Sequence, residues 1–502
     1  RLRKNQKEQL ERRRPLNLKS INHLKYIKKA NLTVCLFLLC LSSFAQVEEP
    51  FANSFKAEYL QLISSNTLKL NGDIKLSNEV VYLKSLKSTL NLIFLENPKN
   101  LDLYEDDFDL QIKYLDDIPD SDPNKLFLLA ELRLKYALAL FKYGHELEAA
   151  WNFRLAHKHV ERNLKLFPEF MANYKTSGVI NIILGSIPEK HQWLLTLVGL
   201  KGSIENGNDQ LDKLINSNSV FRHEAIMIKS LLQSYVLNQT QQAVESFEDR
   251  IKLEGPLIKL QNMVLYLKNS NGIKALDIFE ASPQNDLLTY TYYLAGDAYI
   301  QKSNYQKAEQ QYLKFLNLHH GASNRKDAMY KIWLCHYLSD DQDHMNYRDS
   351  ARLEIVSKSE ADKYADKMLS DNQLPNRDIM KLRLATDGGY FNLADSIISK
   401  QPNRLSTRDS VEYDYRLARL YHKKGDIASC IKLYKSVLNH HNNENWYFAP
   451  NSALMLGYIY KEKNELDLAR FYLKKAMHFK HHEYKNSIDA KAEAALNTIS
   501  DR

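Results

Sequence analysis

LARLYHKKGDIASCIKLYKSVL (Leu417–Leu438) and LGYIYKEKNELDLARFYLKKAM (Leu456–Met477) are two copies of one pattern near the C-terminus. Each runs apolar-small-x-x-Tyr, then a polar turn, then a small residue followed by aromatic and apolar positions at helical spacing. Laying Ala418 on Gly457 superimposes Tyr421 on Tyr460, Gly425 on Asn464, Cys430 on Ala469 and Val437 on Ala476, an offset of 39 residues. An offset of this size falls within the ~20–50-residue periods of stacked repeat architectures. A single helical hairpin cannot bury its own apolar face, and copies therefore stack.

Three more segments fit the template. YYLAGDAYIQKSNYQKAEQQYLKFL (Tyr292–Leu316) supplies Gly296 for close approach, Tyr299 on the same face, a Ser303-Asn304 turn, Ala308 at the crossing and Tyr312 one turn on. LRLATDGGYFNLADSII (Leu382–Ile398) is a shortened copy with Gly388-Gly389 at the turn and Ala394 at the crossing. LKYALALFKYGHELEAAWNFRLA (Leu134–Ala156) supplies Ala137, Gly144, Ala149, Phe153 and Ala156. Five registrations predict an all-α, tetratricopeptide-like solenoid of helical hairpins wound as a right-handed superhelix.

Composition agrees. Gly and Pro total only 15 and 12 of 502 residues, well below ordinary usage, and no stretch alternates with period two long enough to make a sheet. Of 69 basic and 61 acidic residues, eleven and two fall in residues 1–45, so the leader is net +9 and the remainder net −1. The body thus lacks the concentrated basic surface that nucleic acid requires, and no nucleic acid is expected as a partner.

The leader reads as a secretory signal. Lys25, Lys28 and Lys29 precede the apolar run Leu32–Leu41, and Ser43 and Ala45 stand at −3 and −1 before Gln46. The run is shorter than the ~20 residues a bilayer needs, so no transmembrane span is expected in the mature chain. An uncleaved anchor is the alternative. Lipidation of Cys40 is disfavoured by the bulk of Leu39. Three regions follow: a basic leader with signal peptide over 1–45, a helical region with the first repeat over 46–215, and the repeat array over 216–502. The destination implied is the envelope or periplasm of a bacterial-type cell. Export leaves Cys335 and Cys430; Cys430 stands at a small-residue crossing and is expected to be a buried thiol.

Between the first repeat and the array, Gly178–Ile215 holds five of the fifteen glycines and departs from the template. Pro188 should start a short helix carrying Trp193. Within it, GSIPEKHQWLLTLVGLKGSIENG (Gly185–Gly207), followed by LDKL, resembles the signature of the tetratricopeptide repeat protein 39 and inclusion-body clearance family. The resemblance continues at Asp387-Gly388-Gly389-Tyr390 and Trp446–Pro450 and in outline covers Asn78 to Ser500. It implies a helical-repeat protein without catalytic residues.

Other motifs read as ordinary structure. Asp120, Asp122, Asn124 and Glu131 have the ligand spacing of a calcium loop, but Lys125 replaces the required glycine and Asp122-Pro123 makes a helix start. His478, His481 and His482 could share a helix face, yet no other ligand type is near. His319-His320 and His440-His441 fall in predicted loops as polar connectors. No cofactor, metal or catalytic residue is expected.

By analogy with tetratricopeptide domains, positions 2, 5, 9, 12 and 13 of each first helix would line a concave groove. They give Tyr293 and Asp297 in the Gly296 repeat, Tyr415, Arg419 and His422 in the Ala418 repeat, and Tyr458 and Lys461 in the last. A mixed aromatic and charged groove suits a protein or peptide segment. The function expected is an exported, non-enzymatic interaction scaffold; the alternative is an envelope receptor for a peptide or glycan, with Trp193 walling a pocket.

Overall fold

The computed structural model describes residues 53–65, 75–94, 99–187, 200–400, 405–440 and 445–500. Among them are 23 α-helices and no strand. Three lead: α1 (Asn53–Ser65), α2 (Asn78–Phe94) and α3 (Lys99–Asp116). Then come pairs: α4 and α5 (Pro123–Tyr143, Glu146–Leu166), α6 and α7 (Ala172–Gly185, Ile204–Ile215), α8 and α9 (Arg222–Tyr235, Thr240–Arg250). Next are α10 and α11 (Pro256–Lys268, Gly272–Ala281), α12 and α13 (Thr289–Gln301, Tyr305–Leu318), and α14 and α15 (Arg325–Leu338, His344–Leu353). The single helix α16 (Glu360–Ser370) precedes α17 and α18 (Arg377–Asp387, Phe391–Ile398), α19 and α20 (Thr407–Lys424, Ile427–Asn439), and α21 and α22 (Phe448–Glu462, Leu466–His478). Helix α23 (Lys485–Ser500) ends the described chain.

One turn chemistry builds eight of these hairpins. Each has a residue with positive φ between its helices: Gly144, Asn238, Ser270, Ser303, Asp340, Gly389, Gly425 or Asn464. In seven of the eight, the next N–H donates to the carbonyl five residues back, as from Asn304 to Tyr299 (2.9 Å) and from Glu465 to Tyr460 (2.9 Å). This is the Schellman closure, which satisfies a helix-end carbonyl while reversing the chain. Five residues after the left-handed position comes a small side chain: Ala149, Ala243, Ala275, Ala308, Ala394, Cys430 or Ala469, each at most 2% exposed. The small residue lets the second helix lie on the first. The α14–α15 pair alone departs, with exposed Met345 at that place and buried Ala351 further along.

The first-helix partner is small as well. A side chain added at Gly296 would meet the Tyr312 ring at 2.5 Å, and one at Gly457 would meet Leu473 at 2.6 Å. Cys430 is free and buried, as its place at a crossing predicts, and Cys335 is free and buried too.

The Gly-rich segment is also helical where it is described. Helices α6 and α7 pack as a pair, but glycine lies on glycine: a Cβ on Gly178 would be 2.9 Å from the Gly207 carbonyl. What departs from the template is therefore the crossing and the long connection, not the hairpin itself. Pro188 and Trp193, like the leader, lie outside the described residues.

First helices follow one another along the array, with contacts from α8 to α10, α10 to α12, α17 to α19, α19 to α21 and α21 to α23. The path curls back on itself. The α10–α11 turn meets the α17–α18 turn, where the Gly272 N–H donates to the Gly388 carbonyl at 2.9 Å and Tyr390 packs on Gly272. The α23 end reaches the Gly-rich pair, with Asn497 donating to the Gly185 carbonyl at 2.9 Å. No described helix is long and apolar enough to cross a membrane.

Several local expectations meet their outcome here. Asp122 caps α4 by accepting from Asn124 N–H (2.8 Å), and the Lys125 ammonium binds the Ile118 carbonyl (2.6 Å) and Asp120 (2.9 Å). A protein cation thus already occupies the would-be calcium loop. The three C-terminal histidines do not share a helix, because α22 stops at His478. His319 is no polar connector: it is 2% exposed and stacks on Phe315 at 4.7 Å.

Candidate functional site

The seven expected groove residues have different fates. Tyr293 is 6% exposed, and its hydroxyl donates to Asp327 (2.6 Å) on α14. Asp297 accepts from Lys331 (2.6 Å) and Tyr312 (2.7 Å). Together they clamp α12 to α14 with a polar network whose lysine also binds Asp327 (2.7 Å). Tyr415 and Tyr458, 1% and 8% exposed, likewise belong to the core. The Tyr415 hydroxyl accepts from Asn451 on α21, and that of Tyr458 reaches the Lys491 carbonyl (3.4 Å) on α23. Lys461 donates to Thr498 at 2.6 Å. In each case the neighbouring first helix takes the side chain. Tyr293, Asp297, Tyr415, Tyr458 and Lys461 are therefore taken up by packing between neighbouring first helices rather than by an open groove.

Arg419 and His422 remain, and they mark the place where the array carries unbalanced charge. Arg419 donates to Asp387 at 3.0 Å, and Arg383 flanks the same carboxylate at 3.8 Å. Burial alone would raise the Asp387 carboxyl; Arg419 and Arg383 outweigh it and hold the group below its usual range. His422 is driven down to about 4 by burial and by Lys423 and Arg419, so it is neutral. Its Nδ1 lies 3.4 Å from the Tyr434 hydroxyl.

Three lysines complete the cluster. Lys423 is on the last turn of α19, Lys268 ends α10, and Lys491 is in the middle of α23. Burial first, then Arg419, pushes Lys423 down to about 8, with Lys268 adding to the repulsion. Lys268 is lowered by burial and Arg419, with Asp387 opposing, and its ammonium sits 4.9 Å above the Tyr235 ring. Lys491 falls to about 7 because it is buried and because Lys268 and Arg419 lie close. Helices far apart in sequence thus bring cations into mutual reach, which only the curled path permits. A cation on the final turn of α10 or α19 gains a fraction of a kcal/mol from the helix dipole. Mid-helix Lys491 has no such compensation.

Beside this cluster, Arg416 is 4% exposed and donates to Glu412 (2.6 Å) and to the Tyr447 hydroxyl (2.8 Å). The cleft between α16, α17 and α19, lined by Tyr364, Arg383, Arg408 and Arg416, leaves about 30 Å³ of free space. That volume takes water rather than a ligand. The neighbourhood of Lys268, Asp387, Arg419, Lys423 and Lys491 is the candidate site. Arg419 and His422 were marked by their helix positions. Lys268 and Lys491 carry no sequence signal, whereas the doubled glycine after Asp387 hinted at a close approach.

A second charged cluster lies deep in the N-terminal half. Glu131 accepts from Lys175 (2.9 Å) and lies 3.6 Å from Lys135, while Glu224 accepts from the Tyr59 hydroxyl (2.7 Å). All five residues are 0% exposed. Lys135 also donates to Ser85 (3.1 Å) and stands 3.7 Å above the Tyr82 ring. Two carboxylates face two lysines, so the cluster is balanced and has no access for a ligand. Its geometry ties α1, α4, α6 and α8 together.

The profile of the Tetratricopeptide repeat family matches residues 289–318 and 450–477, the α12–α13 and α21–α22 hairpins. No curated protein matches the chain. Among solved structures, two monomeric mutants of IFIT1, one with m7Gppp-AAAA and one with Gppp-AAAA, align over 89% of this chain and 97% of theirs. Both have 13% identity and a TM-score of 0.28, too low to equate the two chain paths. The two matched hairpins and the common turn of the others make this an all-α, tetratricopeptide-like repeat protein, a fold that serves as an interaction scaffold.

Proposed function

We propose that this chain is an exported, non-enzymatic scaffold that holds a polypeptide segment of another protein against the inward face of its first-helix row. The observation that carries this reading is the cation cluster of Lys268, Arg419, Lys423 and Lys491, set against the Asp387 carboxylate on that face. Like charges held together in a semi-enclosed place favour an external anion, and segments rich in acidic or modified residues are anionic. Arginines hold Asp387 and Glu412 below the usual carboxylate range, against burial, and a carboxylate so fixed makes a poor proton carrier.

Export is inferred from the leader, whose Lys25–Lys29, apolar run and Ala45-Gln46 junction read as a cleavable signal. Kinship with the tetratricopeptide repeat protein 39 family is inferred from Gly185–Gly207, Asp387–Tyr390 and Trp446–Pro450. The second window coincides with the turn that docks on α10, which gives its glycines a packing role.

The test is fractionation of a cell expressing the full chain with a C-terminal tag, followed by purification from each fraction. The expected result is an envelope-located chain beginning at Gln46 with a stoichiometric protein partner that Arg419→Glu with Lys423→Glu releases. A cytosolic, uncleaved chain would overturn the export. Recovery of small molecules alone would replace the scaffold by a receptor.

A further inference from the structure

We infer that Lys268, Lys423 and Lys491, grouped around the Arg419–Asp387 pair, form a binding site for a phosphate-type dianion. The inference rests on the inward face being the binding surface and deepens that reading by naming the chemistry recognised. It depends on neither export nor the partner being a polypeptide.

The charge balance of the site argues for a multiply charged group. Arg383 and Arg419 are both committed to Asp387, at 3.8 and 3.0 Å. The three ammonium groups remain. Among the described residues none of them has a carboxylate at ion-pair distance. Lys268 has only the face of Tyr235, and Lys491 has only cations as its principal charged neighbours. A lone carboxylate brings one charge and two acceptor atoms. A phosphate monoester brings close to two charges at neutral pH and three acceptor oxygens, matching three point-charge donors, and inorganic pyrophosphate brings more of both.

The lysines come from α10, α19 and α23; the turn-on-turn contact of Gly272 with Gly388 brings the end of α10 to the end of α17, and the Arg419–Asp387 pair joins α17 to α19. A Cβ at Gly389 would be 1.9 Å from the Ser270 carbonyl, so the glycine sets how closely α17 brings Asp387 to Lys268. Around the cluster the chain turns acidic or apolar: Glu412 is paired with Arg416, and Tyr415 and Tyr458 are buried. The cations beside it, Arg383, Arg408 and Arg416, are already paired with Asp387 or Glu412, so the fit is to a single phosphate-bearing group rather than a nucleic-acid strand, which needs successive unpaired contacts.

The phosphate could be free or carried on a polypeptide side chain, and the experiment separates these. Pyrophosphate is titrated calorimetrically into the full chain, into Lys491→Met, Lys423→Met and, as a control, Lys307→Met, whose exposed ammonium pairs with Glu280 at 3.5 Å. Circular dichroism checks that each variant folds. One site is expected, with affinity falling at least tenfold in Lys491→Met and Lys423→Met and unchanged in Lys307→Met. Displacement of pyrophosphate by a phosphoserine peptide but not by its serine form assigns the site to a modified polypeptide; displacement by neither assigns it to free phosphate. Absence of binding, binding indifferent to both site substitutions, or citrate bound as tightly as pyrophosphate would overturn the inference. So would single-stranded RNA held equally by all variants. If pyrophosphate fails while a protein partner still co-purifies, the site falls and the scaffold stands; the reverse outcome removes the scaffold and keeps the site.

Discussion

Two charged clusters sit inside this chain, one joining α1, α4, α6 and α8 and the other where α10, α17, α19 and α23 converge. The first sets Glu131 and Glu224 against Lys135 and Lys175 with every side chain sealed from water. The second sets several cations around Asp387, where Arg419 and Asp387 are still 27% and 33% exposed. A balanced, dry cluster answers its own charges and fixes how helices register. An unbalanced, accessible one leaves its charge to be answered from outside. The same residue types therefore do structural work in one half and offer binding chemistry in the other.

The comparison is broken most directly by cutting one anion or cation from each cluster. Glu131→Ala should destabilise the chain by about 3–5 kcal/mol, because Lys135 and Lys175 are then buried without their carboxylate. Arg419→Ala should change stability by only about 0–1 kcal/mol, because its pair is partly screened by water. Urea unfolding of both variants checks this; equal losses would erase the distinction.

Packing gives the next largest effect. Gly207→Ala puts a Cβ 2.6 Å from the Gly178 carbonyl and should cost about 1–3 kcal/mol. Gly425→Ala meets nothing within 4 Å and bears only the left-handed backbone penalty of about 1–2 kcal/mol. Thermal melts that rank Gly425→Ala as the worse would contradict the glycine-on-glycine crossing.

Acidity should sharpen the contrast. Lys491 and Lys423, at about 7 and about 8 in the fold, are surrounded by Lys268, Arg383, Arg419, Asp387 and a neutral His422. Pyrophosphate affinity should fall as pH rises from 6 to 9, by roughly tenfold for each ammonium lost. Without ligand, the unfolded chain keeps these protons up to about 10.5, so their contribution makes stability rise between pH 7 and 10. Glu224 acts in the opposite sense: burial lifts it to about 7, so the native state holds its proton longer and stability falls as pH climbs from about 4.5 to 7. Denaturation midpoints across pH, with Lys491→Met and Glu224→Gln each flattening its own window, test both signs.

The smallest expected effect is also the most specific. Lys491→Met should stabilise the empty chain by roughly 0.5 kcal/mol, by relieving a charge conflict, while weakening pyrophosphate binding. A stabilised chain with unchanged affinity would leave Lys491 outside the site.

Much of the fold was legible. The alignment of Gly425 with Asn464 was a register of left-handed turn residues, and Cys430 with Ala469 was a register of crossings. The same five-residue spacing from Asn238 to Ala243 and from Ser270 to Ala275 could have revealed two further hairpins. The site was only half legible. Helix position marked Arg419 and His422, but it also marked Tyr293 and Tyr415, which the neighbouring first helix buries. The nearly neutral sum of charges over residues 46–502 concealed a local excess, because a net charge is blind to position.

By itself the sequence determined the helical hairpins, their turns and their crossings. These depend on backbone preference and side-chain size within about thirty residues, where spacing along the chain is spacing in the structure. Only the tertiary structure decided that Ser270 meets Gly389, and hence that Lys268, Asp387, Arg419 and Lys491 share one place. Those residues are brought together by the accumulated curl of many stacked pairs, and no short window of sequence carries that sum.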